Sequence, residues 1–167
     1  YKYLKFGLFE KEAIKYHEKF LKEVNLEQAM PVCVLFADKS FDLSCLKRII
    51  NIGYKTIMID TCFKKNKTTN ILDRNTLEQF IDLCRLNNIM CGLSGSIEVE
   101  DIPFLINLHP DFLGLRGALC LPKEDRRNIA KKQVTKVLNR FHCALNRSSN
   151  GLTLSNVSLY SSSTSES

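Results

Sequence analysis

Three features of this chain predict a parallel α/β fold: five short apolar runs without internal alternation, a helical pattern after each, and spacings of roughly 20 to 35 residues between runs. A strand with one wet face alternates polar and apolar residues. A strand that is apolar throughout is buried on both faces, which requires helices packed against the sheet. Successive right-handed crossovers of this length suit an open doubly wound sheet or part of a (β/α)8 barrel. A complete barrel needs about 250 residues, so the 167 residues here supply five of its eight units at most.

YLKFGLF (3–9) reads as the first strand, and EKEAIKYHEKFLKEVN (10–25) as an amphipathic helix with apolar residues near helical spacing. The chain begins inside this strand-like run without an initiator methionine, which predicts an N-terminally incomplete chain. Pro31 then precedes VCVLFA, the second apolar run, and FDLSCLKRIINIG follows as a helix that Gly53 is placed to end. TIMID (56–60) is the third strand, KNKTTN a polar loop, and RNTLEQFIDLCRLNN the next helix. IMCGLSG (89–95) is the fourth strand, and EVEDIPFLINL a shorter helix that tolerates Pro103 in its first turn. DFLGLRGA (111–118) is the fifth strand and RRNIAKKQVTKVLNRFHCAL the last helix. The serine-rich, nearly uncharged stretch 148–167 predicts a disordered tail, leaving residues 1–147 as the folded domain.

Composition narrows the function classes. Hydrophobic residues make up 44% and charged residues 25%, ordinary values for a soluble globular protein. No apolar run approaches the roughly 20 residues of a membrane span, and no signal-peptide pattern is present; the expected location is the cytoplasm, without a membrane partner. The seven cysteines are odd in number, lack CxxC spacing and mostly sit in apolar runs such as PVCVLFA. They predict reduced, buried thiols rather than disulfides or metal ligands. The three histidines are dispersed, so no metal site is expected. A net charge of +6 raises nucleic acid as a partner. However, the lysines alternate with glutamates in EKEAIKYHEKFLKE, the pattern of a solvated face with i,i+4 ion pairs. No RNA-binding or zinc-finger signature accompanies them, and nucleic acid is not expected.

In parallel α/β folds, functional groups collect where the loops leave the carboxyl ends of the strands. Those positions carry Asp38-Lys39, Asp60 with Lys64 four residues on, Ser94-Gly95-Ser96, and Arg116-Gly117, while Lys5 lies within the first strand. Leu4 and Phe6 point opposite to Lys5, so Lys5 projects into a barrel interior or to one sheet face. There a desolvated amine serves as nucleophile or base; the alternative is a lysine snorkelling from a frayed strand. Asp38-Lys39 reads as an N-cap region for the FDLSCL helix. Asp60 ends a buried strand and needs a partner, which Lys64 or Lys5 can supply; the alternative is a structural ion pair. GLSGS offers backbone N–H groups for an anion nest. GLRG adds an arginine that either holds phosphate or pairs on the rim. Together these residues point to a phosphorylated, carbonyl-bearing small substrate handled by lysine and aspartate.

YLKFGL, the Asp-Thr-x-x-Lys of IDTCFKK, CGLSGSIEVEDIPFL and PDFLGLRGALC, in this order, resemble the (5-formylfuran-3-yl)methyl phosphate synthase family of methanofuran biosynthesis. The resemblance runs from about residue 1 to about 145. It implies a (β/α)8 TIM barrel similar to class I aldolases, present here as about five βα units. The implied reaction is a lyase-type condensation of two glyceraldehyde 3-phosphate molecules to a furan aldehyde phosphate, with loss of phosphate and water through Schiff-base chemistry. It also implies catalytic roles for Lys5, Asp60 and Lys64, phosphate binding by Ser94, Gly95, Ser96, Arg116 and Gly117, and no metal or redox cofactor. No stretch of this chain matches the region that bears the family's Schiff-base lysine. After Cys120, where the family continues with Gly-Gly and an arginine, this chain reads LPKEDRRN, with Arg126 as the replacement arginine. Two other readings stand beside this one: another phosphosugar aldolase or epimerase barrel, and an inactive remnant whose open edge at 3–9 favours self-association into a homo-oligomer.

Overall fold

The computed structural model describes residues 2–39, 41–120 and 129–147. Its strands are β1 (Lys2–Leu8), β2 (Ala29–Phe36), β3 (Thr56–Asp60), β4 (Met90–Leu93) and β5 (Phe112–Leu113), all parallel and adjacent in chain order. The helices are α1 (Ile14–Glu23), α2 (Leu46–Asn51), α3 (Thr68–Ile71), α4 (Arg74–Leu86), α5 (Ile102–Ile106) and α6 (Lys131–Arg147). The five-stranded parallel α/β architecture is thus as expected. The strand order never reverses, so the described sheet lacks the switch point that defines a doubly wound fold.

The pleat of the strands explains the two sides of the sheet. Leu8, Cys33, Leu35, Ile57, Ile59, Cys91, Leu93 and Leu113 share one core with Ile14, Leu46, Ile49, Leu77, Phe80, Ile102, Leu105, Val137 and Phe141 from the helices. The other strand face carries a separate small cluster, Val32, Val34 and Met58, with Tyr3, Phe36 and Phe112 against it. Right-handed crossovers that always step to the next strand put every helix on the same side, and that is the distribution seen. On the helix-free face, aromatic rings lie over glycine backbone. A Cβ on Gly92 would lie 2.1 Å from the Phe112 ring, and one on Gly7 would lie 2.8 Å from the Phe36 ring.

Several boundaries differ from the sequence reading. The first, second and fifth helical segments each open with a 3-10 turn, at Lys11–Ala13, Leu43–Cys45 and Val99–Asp101. KNKTTN is not all loop, since Thr68–Ile71 forms the one-turn helix α3. The fifth strand shrinks to Phe112–Leu113, and Arg116–Leu119 coils into a 3-10 helix instead of continuing it. The cap of the second helical segment is Asp42, which accepts from Ser44 N–H, and not Asp38-Lys39. Cys33, Cys45, Cys84, Cys91 and Cys120 are buried, Cys62 is partly buried and Cys143 is exposed; all seven are free thiols, as expected for small hydrophobes in apolar runs. The expected tail at 148–167 and Arg126 lie outside the described residues.

Candidate functional site

The carboxyl ends of β2 to β5 finish almost level. Phe36 pairs with Asp60, the Ala37 amide donates to the Asp60 carbonyl at 2.8 Å, and the Ser94 amide donates to the Ile59 carbonyl at 2.7 Å. The Gly114 amide reaches the Leu93 carbonyl at 2.8 Å, and Ser94 Oγ donates to the Gly114 carbonyl at 3.2 Å. This rim brings together Asp60, Lys64, Ser94, Gly95 and Ser96, with Arg116 and Gly117 just beyond Gly114. Lys5 shares the helix-free face but not the level. It pairs with Val32, which pairs with Thr56, four residues before Asp60. Four residues of strand amount to roughly 13 Å. Lys5 is also exposed, so the desolvation expected to tune its amine is not provided by the described residues.

Asp60 and Lys64 flank a tightly held loop. Asp60 is half-buried, and its Oδ1 accepts from the Thr61 amide at 2.7 Å. Neither Lys64 nor Lys5 forms an ion pair with it among the described residues. The expected bridge is therefore absent there, and Asp60 satisfies itself locally. The Lys64 ammonium is exposed, while its backbone carbonyl accepts from Ser96 Oγ at 2.8 Å. Lys64 thus combines a fixed backbone with a solvent-reaching amine.

The grip on this loop comes from residues the sequence reading did not single out for it. Asp38, two residues past the β2 end, accepts from the amides of Cys62 at 2.7 Å and Phe63 at 2.9 Å and from Asn66 Nδ2 at 2.9 Å. Partial burial pushes the Asp38 carboxyl up, but the donors from Phe63, Cys62 and Asn66 together outweigh it, and its net shift is downward. On the far side, Thr68 joins the loop to the β4 end: its amide donates to the Gly95 carbonyl at 3.1 Å and its hydroxyl to the Ser94 carbonyl at 2.6 Å. Lys67 bridges Glu98 at 2.7 Å and Asp101 at 2.9 Å. Burial alone would lower the Lys67 pKa; the hydrogen bonds its ammonium donates to Glu98 and Asp101 win, and the net shift is upward. The Glu98-x-x-Asp101 spacing forms a reciprocal capping box, a legible signal. Asp38 had no such local signal, because its donors lie 24 to 28 residues away.

The Ser94–Ser96 turn is built for close approach. Gly95 has φ +101° and Ser96 φ +52°, and a Cβ on Gly95 would sit 2.1 Å from Thr68 Oγ1. Both serine hydroxyl protons are already committed, to the Gly114 and Lys64 carbonyls. The amides of Gly95 and Ser96 make no hydrogen bond among the described residues. The hydroxyls thus set the shape of the turn, and its uncommitted donors are the Gly95 and Ser96 N–H groups.

The linkage for Asp38 has a definite sign. A carboxyl held below its unfolded value near 3.9 stabilises the fold fully above that value and loses its contribution as pH falls through the lower folded one. Wild type should exceed Asp38→Asn in stability by about 2 kcal/mol from pH 8 to 5, and the gap should close below about pH 4. Thermal melts of both proteins across this range check it, and a gap persisting undiminished at the acid end would contradict the linkage.

These features define a parallel α/β protein with its functional loops on the carboxyl rim of a singly wound sheet. The model of the 4-HFC-P synthase family matches residues 1–138, and the chain belongs to that family. A (5-formylfuran-3-yl)methyl phosphate synthase from Methanosarcina acetivorans is 32% identical over 87 residues, 52% of this chain and 36% of its own length. The protein of the same name from Methanosarcina mazei is 36% identical over 69 residues, 41% of this chain and 30% of its own. The chain thus matches well under half the length of these curated relatives.

Proposed function

We propose that this chain forms the carboxyl-terminal five units of a (β/α)8 barrel and carries part of a (5-formylfuran-3-yl)methyl phosphate synthase site. The family match over residues 1–138 is the observation that carries this reading. The unreversed strand order and the segregation of the helices to one face support the barrel, since a sheet that winds one way with helices on one side can close. In the reaction, an enzyme amine activates one glyceraldehyde 3-phosphate as a carbanion equivalent that attacks the aldehyde of a second. Phosphate is then eliminated, and cyclisation with loss of water gives the furan.

In this scheme Asp60 and Lys64 exchange protons with the condensing carbons and departing oxygens, and Lys5 offers a cationic contact deeper in the interior. The Gly95 and Ser96 amides, with Arg116 beside Gly117, take a phosphate. The Gly95 and Ser96 N–H groups, which make no hydrogen bond among the described residues, and their rim position support that role. Incubating the full-length protein with glyceraldehyde 3-phosphate should yield the furan chromophore, and borohydride added during turnover should trap a covalent amine adduct. Absence of both overturns the reading.

A further inference from the structure

We propose that Asp38 is a positioning residue for Lys64, holding the loop after β3 at the angle from which its amine serves the reaction. This rests on the synthase reading above. The loop from Thr61 to Lys67 joins a buried strand to a one-turn helix, and a segment of that kind has little regular hydrogen bonding of its own. Asp38 supplies it from the neighbouring strand: Oδ1 takes the Cys62 amide, and Oδ2 takes the Phe63 amide and Asn66 Nδ2. Both carboxylate oxygens are thus used, and all three donors lie within two residues of Lys64. The fourth hold, Ser96 Oγ on the Lys64 carbonyl, comes from the opposite strand. Lys64 is therefore clasped on both sides at the backbone, and its side chain alone is left exposed.

The chemistry of the clasp requires a carboxylate. An ionised aspartate accepts at both oxygens, whereas asparagine presents one acceptor and an NH2 group. In Asp38→Asn, one face of the side chain therefore meets the Cys62 or the Phe63 amide as donor against donor. The loop then releases without any loss of core volume. The same carboxylate occupies the Cys62 and Phe63 amides, so those two donors are not open to an external anion.

The test uses the full-length protein and two readouts. Amide hydrogen exchange should show Cys62 and Phe63 losing protection in Asp38→Asn while the β3 amides keep theirs; unchanged loop protection would overturn the proposal. With glyceraldehyde 3-phosphate as substrate, Asp38→Asn should lower kcat about 10- to 100-fold with KM changed less than about threefold, as expected for a misplaced proton donor. Asn66→Ala, which removes one of the three bonds, should do the same more weakly and guards against a folding failure in the first variant. The decisive arm is the double variant Asp38→Asn/Lys64→Ala. If Asp38 acts through Lys64, it is no slower than Lys64→Ala alone; a multiplicative loss overturns the positioning role. A wild type that forms no furan product instead sinks the reaction itself, and the exchange result then still reports whether Asp38 sets the loop.

Discussion

Asp60→Asn and Lys64→Ala, each in the full-length protein, are expected to cut furan-forming turnover by about two to four decades, the usual range for a lost proton-transfer group. The fold should barely register either change. Lys64 is exposed and its ammonium joins no ion pair among the described residues; Asp60 accepts one bond, from the amide that follows it. Asparagine at position 60 keeps a carbonyl oxygen that can still accept from that amide, and truncating a solvated lysine costs little. Activity and stability thus separate, which a structural ion pair would not allow. Rates measured alongside thermal melts decide it: unchanged turnover in both variants would reduce the pair to surface charge.

Gly95→Ala is the substitution expected to damage the fold most for its size. Its φ of +101° lies where L-residues are strained by about 1–3 kcal/mol. The added Cβ would also sit 2.1 Å from Thr68 Oγ1 and 2.9 Å from the Thr61 backbone nitrogen, which cannot rotate away. Gly53 supplies the control, with φ +113° and nothing within 4 Å of its missing Cβ. Gly53→Ala should therefore register strain alone, about 1 kcal/mol, and Gly95→Ala about 3 kcal/mol, roughly 6–12 °C in Tm for a domain of this size. Equal losses in the two would show that the Thr61–Thr68 contact yields freely. The comparison also bears on the site, because the amide displaced with Gly95 is one of the two proposed to hold phosphate.

The parts of the architecture written in local pattern were readable. VCVLFA, the Ile57–Ile59 centre of TIMID and IMCGL run apolar without alternation, and the chain pairs them as adjacent parallel strands covered by helices. The fifth strand misled because its apolar character continues through Gly114 and Leu115. There the chain is drawn in against Ser94, whose Oγ would lie 2.6 Å from a Cβ on Gly114, and it then turns into a 3-10 helix at Arg116. Among the candidate site residues, strand-end placement identified the rim that gathers Asp60, Lys64 and the Ser94–Ser96 turn. It did not reveal that Lys5 sits four residues lower in register, since register is a property of two strands at once. Asp38 was read as a helix cap because aspartate before a helical run usually is one. Its true partners sit in the next crossover, and no pattern within the loop following β2 points to them.

Every strand here is flanked by its own chain neighbours, so no pairing in the sheet ever waits for a distant part of the chain to arrive. The entropy lost in bringing each new strand to the edge is that of a single βα span, and it grows only logarithmically with length. Assembly can therefore start wherever one pair of units meets and spread outward by accretion, in the manner of a stacked repeat array more than of a closed plan. The outer edge of β1, which pairs with no strand among the described residues, is then where the ladder can extend. Another parallel strand docking there extends the same ladder of main-chain bonds and leaves the packing of β2 to β5 as it is.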